Sequence, residues 1–206
     1  MMSSPALAHR NARYLSALTH PLFIPVIGFW VFNHFNYSSF HGQSLLVILS
    51  AFTITVVALP AYFVYALKRS GSIQTYEMES IQERRLPLLF TSAAMLFNYY
   101  LMRHANLTEL YQWYFLSTTA ACILSLGITL FYKISLHTLG IGFLFGLGFT
   151  LSYLNNSDLR WYLIGIVLLG GIVGYCRYLL KAHTLPQLYL GFIVGTFSSS
   201  LLLLFG

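Results

Sequence analysis

The chain has 206 residues, 57% of them hydrophobic and only 8% charged, with a formal net charge of +6. A soluble globular domain carries about 25% charged residues, so the composition excludes that class and predicts an all-α, polytopic membrane helical bundle. A β-barrel would alternate polar and apolar positions in short segments; these runs are continuously apolar.

Seven apolar segments follow in chain order: 14–35, 44–67, 86–103, 112–132, 138–155, 161–180 and 184–205. Each is close to the ~20 residues that a bilayer-spanning helix needs, which predicts six to seven transmembrane helices. The first segment holds His20, Pro21 and Pro25. It reads as a retained, broken or re-entrant helix, because no small-x-small cleavage site follows it. No charged side chain occurs between Arg13 and Lys68. No linker or low-complexity tract divides the chain, so residues 1–206 form a single integral membrane domain.

The hydrophilic stretch from Lys68 to Arg85 carries Glu77, Glu79 and Glu83, three of the five acids. Pro87 predicts a helix start, since proline suits the first helical turn. Arg84 and Arg85 then lie just outside that N-terminus. Asn98, inside the third segment, predicts an interhelical hydrogen bond. Trp113, Tyr114, Trp161 and Tyr162 read as an aromatic belt. His20, His34, His41 and His104 read as interfacial. Cys122 and Cys176 have no metal-ligand spacing and read as small buried hydrophobes. Gly140, Gly142, Gly146, Gly148, Gly170, Gly171, Gly174, Gly191 and Gly195 predict close packing of the fifth to seventh helices.

Most cations fall on one side of this topology: Arg10, Arg13, Lys68, Arg69, Arg84, Arg85, Lys133, Arg177 and Lys181, against Arg103 and Arg160 on the other. The positive-inside rule makes the first side cytoplasmic, in a bacterial inner membrane. The cations are spread over several loops rather than gathered in one arm. Membrane lipids are therefore the expected contact, and a nucleic acid is not.

Three stretches on that side carry chemistry: Glu83-Arg84-Arg85-Leu86-Pro87, Lys133-Ile134-Ser135-Leu136-His137, and Arg177 through His183 to Gln187. Each precedes a helix N-terminus, where free backbone N–H groups and the dipole favour a phosphate. Arginine adds forked donors that match phosphate oxygens. Ser135 and Thr138 can cap the fifth helix and Thr184 the seventh. Arg177 and His183 converge on one ligand only if the sixth helix ends between them. His183 and Gln187, four residues apart, share a face if the seventh helix starts early enough.

Over about residues 77–206 these stretches resemble the type 2 phosphatidic acid phosphatases, in a divergent Bacteroidetes-type branch of small membrane proteins. The family's third motif is Ser-Arg, five residues, His, three residues, Asp, then spaced glycines. Here Cys176-Arg177, His183, Gln187, Gly191 and Gly195 stand at the same spacing. Ile134-Ser135-Leu136-His137 resembles its Pro-Ser-Gly-His. Arg84 or Arg85 followed by Pro87 resembles the end of its first motif, without the upstream lysine.

The resemblance implies a lipid phosphate or polyprenyl (di)phosphate substrate and no metal or other cofactor. It assigns His183 as a nucleophile that becomes phosphohistidine and His137 as general acid and base. Arg84, Arg85, Arg177 and Ser135 would hold phosphoryl oxygens. Gln187 stands where the family has the aspartate that orients the nucleophile, and Glu77, Glu79 or Glu83 are candidates to replace that charge. Lys133 or Lys181 could stand in for the missing lysine. The alternative expectation is a catalytically inactive relative that binds anionic lipid or a membrane partner. A transporter is disfavoured, because no ionisable residue lies in the middle of a segment.

Overall fold

The computed structural model describes residues 4–36, 42–78, 80–105 and 107–205, and these are helical with no strand among them. His41 and Glu79 lie outside the described residues. In chain order come α1 (Ser4–Leu18), a 3₁₀ turn (Pro21–Phe23), α2 (Ile24–Phe35) and α3 (Gly42–Thr53). A π turn (Ile54–Ala58) joins α3 to α4 (Leu59–Arg69). Then follow α5 (Ile81–Arg103), α6 (Glu109–Thr129), α7 (Leu136–Leu154), α8 (Arg160–Leu179) and α9 (Leu185–Phe205). Among the described residues, four helical stretches are long and apolar enough to cross a membrane: Leu7–Phe35, Ser44–Arg69, Leu136–Leu154 and Arg160–Leu179.

The first apolar segment is broken, as its prolines predict. His20 is extended, with φ −61° and ψ 133°, because the residue before a proline is driven away from the helical region. Pro60 acts more gently. It removes one N–H from the second segment, and the chain absorbs the loss in the π turn just before it. The Thr55 hydroxyl in that turn donates to the carbonyls of Ala51 and Phe52 at 2.9 and 3.0 Å. It also accepts from Asn98 Nδ2 at 2.8 Å, so Asn98 ties α5 to the π turn, an interhelical bond of the kind its place in the segment predicts.

The third apolar segment departs from its expected start. α5 begins at Ile81, so Pro87 lies in its second turn and Arg84 and Arg85 belong to the helix rather than preceding it. The cause is a capping pattern, Ser80-Ile81-Gln82-Glu83. Ser80 Oγ accepts from the Glu83 N–H at 3.2 Å, and the Glu83 carboxylate accepts from the Gln74 N–H at 2.6 Å. This extra helix length brings Arg84 inward, where it is buried, and leaves Arg85 exposed.

α7 is the central helix, packed on α2, α8 and α9. Apolar burial drives little helix association inside a bilayer, so close packing and interhelical hydrogen bonds must do it. Both appear between α7 and α9. A Cβ on Gly195 would sit 1.9 Å from the Leu139 carbonyl oxygen, and one on Gly142 would sit 2.1 Å from that of Phe192. Ser199 Oγ donates to the Phe143 carbonyl at 2.9 Å, and Thr196 Oγ1 to that of Gly142 at 3.2 Å. Helix α8 joins this seam in part: a Cβ on Gly170 would sit 3.3 Å from Ile141 of α7 and 3.5 Å from Phe192 of α9, whereas one on Gly171 would meet open space.

Tyr114 also departs from its expected interfacial place. It is fully buried among Phe29, Phe32, Phe52 and Phe115, and its hydroxyl donates to the Pro25 carbonyl. Trp161 remains 81% exposed.

Candidate active site

α5, α7 and α9 begin at one end of the bundle, and α8 ends there. A cavity of about 570 Å³ opens there between α5, α6, α7, the α8–α9 connection and the α1–α2 turn. Its polar end is lined by Arg84, Arg177, His137, His183 and His20, with Arg13 at the rim. Glu77 is the acid that lines it among the described residues. Below this end the wall turns apolar, with Leu88 and Met95 of α5, Ala121 of α6 and Phe143 of α7. Arg84 and Met95 are separated by about 16 Å along α5, at 1.5 Å per residue. The cavity is therefore amphipathic, cationic at the head and oily in the arm.

The α8–α9 connection decides where His183 goes. α8 ends at Leu179, and Lys181 adopts a left-handed φ of 55°. The Ala182 N–H bonds the Arg177 carbonyl at 3.0 Å, and the Lys181 N–H bonds that of Tyr178 at 2.9 Å. This paired pattern closes a helix and reverses the chain. The sixth helix thus ends between Arg177 and His183, and both side chains reach the same cavity.

Thr184-Leu185-Pro186-Gln187 then opens α9 with a second capping pattern. The Thr184 N–H donates to Gln187 Oε1 at 3.2 Å. The backbone donor identifies that atom as oxygen. His183 Nδ1, 3.1 Å from the same oxygen, must therefore carry a proton, which leaves the Nε2 lone pair free. His183 is 5% exposed. Burial and then the Arg84 charge hold its imidazole down to about 3, although the Gln187 bond opposes the shift. At neutral pH the ring is uncharged.

Arg177 is 8% exposed, and among the described residues its Nε has no hydrogen-bond partner. An unpaired buried guanidinium N–H costs several kcal/mol unless something meets it. Ser16 Oγ, on the same cavity wall, is also buried and has no partner among the described residues. Arg84 is anchored more firmly: its Nε donates to the Met78 carbonyl at 2.7 Å and Nη1 to that of Ile134 at 3.2 Å. Arginine has five N–H donors, so three remain after these two bonds.

His137 faces the α1–α2 side. Its Nε2 donates to the Ser16 carbonyl at 3.0 Å, since a carbonyl can only accept, and Nδ1 keeps the lone pair. Its ring meets His20 edge-on, with centroids 5.9 Å apart.

Other expected site residues lie elsewhere. Arg85 is exposed, and its Nη2 donates to the Leu130 carbonyl at 3.1 Å. Ser135 is fully buried, and its hydroxyl caps α7 by accepting from the Thr138 N–H at 3.5 Å. Neither lines the cavity. Gln187 does not line it either, but touches His183 from behind. Lys133 and Lys181 are absent from the wall. Glu83 is engaged by Gln74 and Ser80, and these bonds hold its carboxyl below the usual range.

His20, expected only as an interfacial residue, lines the cavity, and Ser16 and Arg13 join it. The dipeptide His20-Pro21 inside an apolar run was the available signal, because it places a polar ring at an enforced chain break. Comparison of the chain with protein-family models, curated proteins and solved structures finds no match.

Proposed function

We propose that this chain is an integral membrane phosphatase that hydrolyses a lipid phosphate or polyprenyl (di)phosphate. The observation that carries the reading is the unpaired, buried Arg177 Nε in a cavity that also holds Arg84 and the free Nε2 of His183. Phosphate oxygens would meet the guanidinium donors, and the hydrocarbon would lie along the wall formed by Met95, Ala121 and Phe143. Oriented donors in a water-poor site stabilise charge that develops during phosphoryl transfer.

In this scheme His183 Nε2 attacks phosphorus as the bond to the leaving oxygen breaks. His137 Nδ1, which holds a lone pair, takes the proton that a monoanionic phosphate ester brings with it and passes it to that oxygen. Water then attacks the phosphohistidine, with His137 Nδ1 taking its proton back, and phosphate leaves. Gln187 holds the His183 tautomer throughout. The bundle would span the membrane six or seven times, with α5, α6 and α9 joining the four most apolar stretches. The cavity end would face the cytoplasm, on the positive-inside argument.

The test is phosphate release by purified protein from a panel of lipid phosphates, beside His183→Ala. Turnover that vanishes in the folded variant supports the enzyme; turnover that persists removes it. Cysteines introduced at 70–75 should label from the cytoplasm, and external labelling would reverse the orientation.

A second reading is an inactive relative that binds anionic lipid. Gln187 favours it, because a neutral amide stabilises a phosphohistidine-forming imidazole less than a carboxylate does. Saturable binding of a lipid phosphate without release would select that reading.

A further inference from the structure

The α1–α2 wall of the cavity carries a histidine that the proposed chemistry leaves unused. His20 ends the break before Pro21, and its extended backbone aims the ring into the cavity beside His137. Its Nδ1 accepts from the Leu22 N–H at 3.3 Å. A backbone N–H demands a lone pair, so Nδ1 is unprotonated and the neutral ring carries its hydrogen on Nε2. Among the described residues, no protein acceptor meets that Nε2–H. His137 offers none in return through its own Nε2, which is held by the Ser16 carbonyl.

We propose that His20 Nε2–H, fixed by the Leu22 N–H on the opposite ring nitrogen, is a neutral hydrogen-bond donor to a phosphoryl oxygen of the ligand bound between His20, His137, Arg177 and His183. The inference rests on the phosphate reading of the cavity. Its physical logic is charge. Arg13, Arg84 and Arg177 already place three cations on the wall, and a fourth would be repelled by them. A neutral imidazole adds a directed donor without adding charge, and protonating Nδ1 would break the cap on the 3₁₀ turn. Neutral imidazoles serve as hydrogen-bond donors in other active sites.

The test is ¹⁵N imidazole spectroscopy of the full chain in detergent, with His20 assigned by its loss in His20→Asn. That variant keeps a side-chain carbonyl for the Leu22 N–H but does not reach the cavity. Dodecyl phosphate and inorganic phosphate are titrated separately. The expected result is a His20 spectrum of the Nε2–H tautomer, whose Nε2 signal moves together with that of His183. Movement with dodecyl phosphate alone identifies a lipid headgroup, and movement with both identifies phosphate from either source. Binding should weaken about ten- to a hundredfold in His20→Asn, the range for a bond to a charged group. If His183 responds while His20 stays still and His20→Asn binds unchanged, this inference is overturned and the phosphate reading stands. If neither histidine responds, both are overturned.

Discussion

The side-chain oxygen of Gln187 accepts two hydrogen bonds, from His183 Nδ1 at 3.1 Å and from the Thr184 N–H at 3.2 Å. One amide therefore caps α9 and selects the tautomer of the cavity histidine. Gln187→Leu should break both bonds. Under the phosphatase reading, kcat should fall about a hundredfold while KM changes little, since orientation and not binding is lost. Gln187→Glu retains the length and adds charge, and should raise the rate by about tenfold. An unchanged rate in Gln187→Glu, beside a loss of stability alone in Gln187→Leu, would show that the residue serves the helix cap alone.

Arg177 tests the conflict between stability and binding. Arg177→Met fills the site without the unpaired N–H, and such replacements are often neutral or stabilising. The melting temperature of the ligand-free protein should hold or rise, while affinity for dodecyl phosphate drops by roughly a hundredfold or more. A large loss of stability would mean that the guanidinium holds the fold.

Arg84 and Arg85 are neighbours with opposite expectations. Arg84→Ala removes two bonds to carbonyls and leaves the Ile134 acceptor buried. It should destabilise the protein by about 2–4 kcal/mol. Arg85→Ala touches only an exposed contact and should stay within about 0.5 kcal/mol. Denaturation in matched detergent compares the two.

His183 makes stability depend on pH. Its folded-state imidazole is held at about 3, against an ordinary value of 6.5. Between these values the unfolded chain binds the proton and the folded chain does not. The sign follows: stability is fully present above about pH 6.5 and declines as pH falls toward 3. The melting temperature should fall across that window, with a shallower slope in His183→Asn. Parallel slopes would rule out this residue as the source.

The α7–α9 seam should be intolerant of any side chain at Gly195. A Cβ there would lie 1.9 Å from the Leu139 carbonyl oxygen, which belongs to backbone and cannot rotate away. Gly195→Ala should cost about 1–3 kcal/mol, whereas Gly171→Ala, in open space, should be tolerated.

Composition and periodicity determined the all-helical class with its long apolar stretches, because uncharged runs of this length satisfy their backbone groups within a helix. The spacing of Arg177, His183 and Gln187 was equally legible. Local chain reversal and a four-residue offset on one helix face follow from short-range geometry. Capping at Ser80-Ile81-Gln82-Glu83 was also written in the chain, yet Pro87 drew the helix start too far along. The tertiary structure alone decided which cations enter the cavity. Arg84 and Arg85 are adjacent in sequence, but 100° of helical rotation sends one inward and the other to the surface. It also brought His20 from a distant break against His137. Long-range encounters of this kind depend on how whole helices dock, which no local pattern encodes.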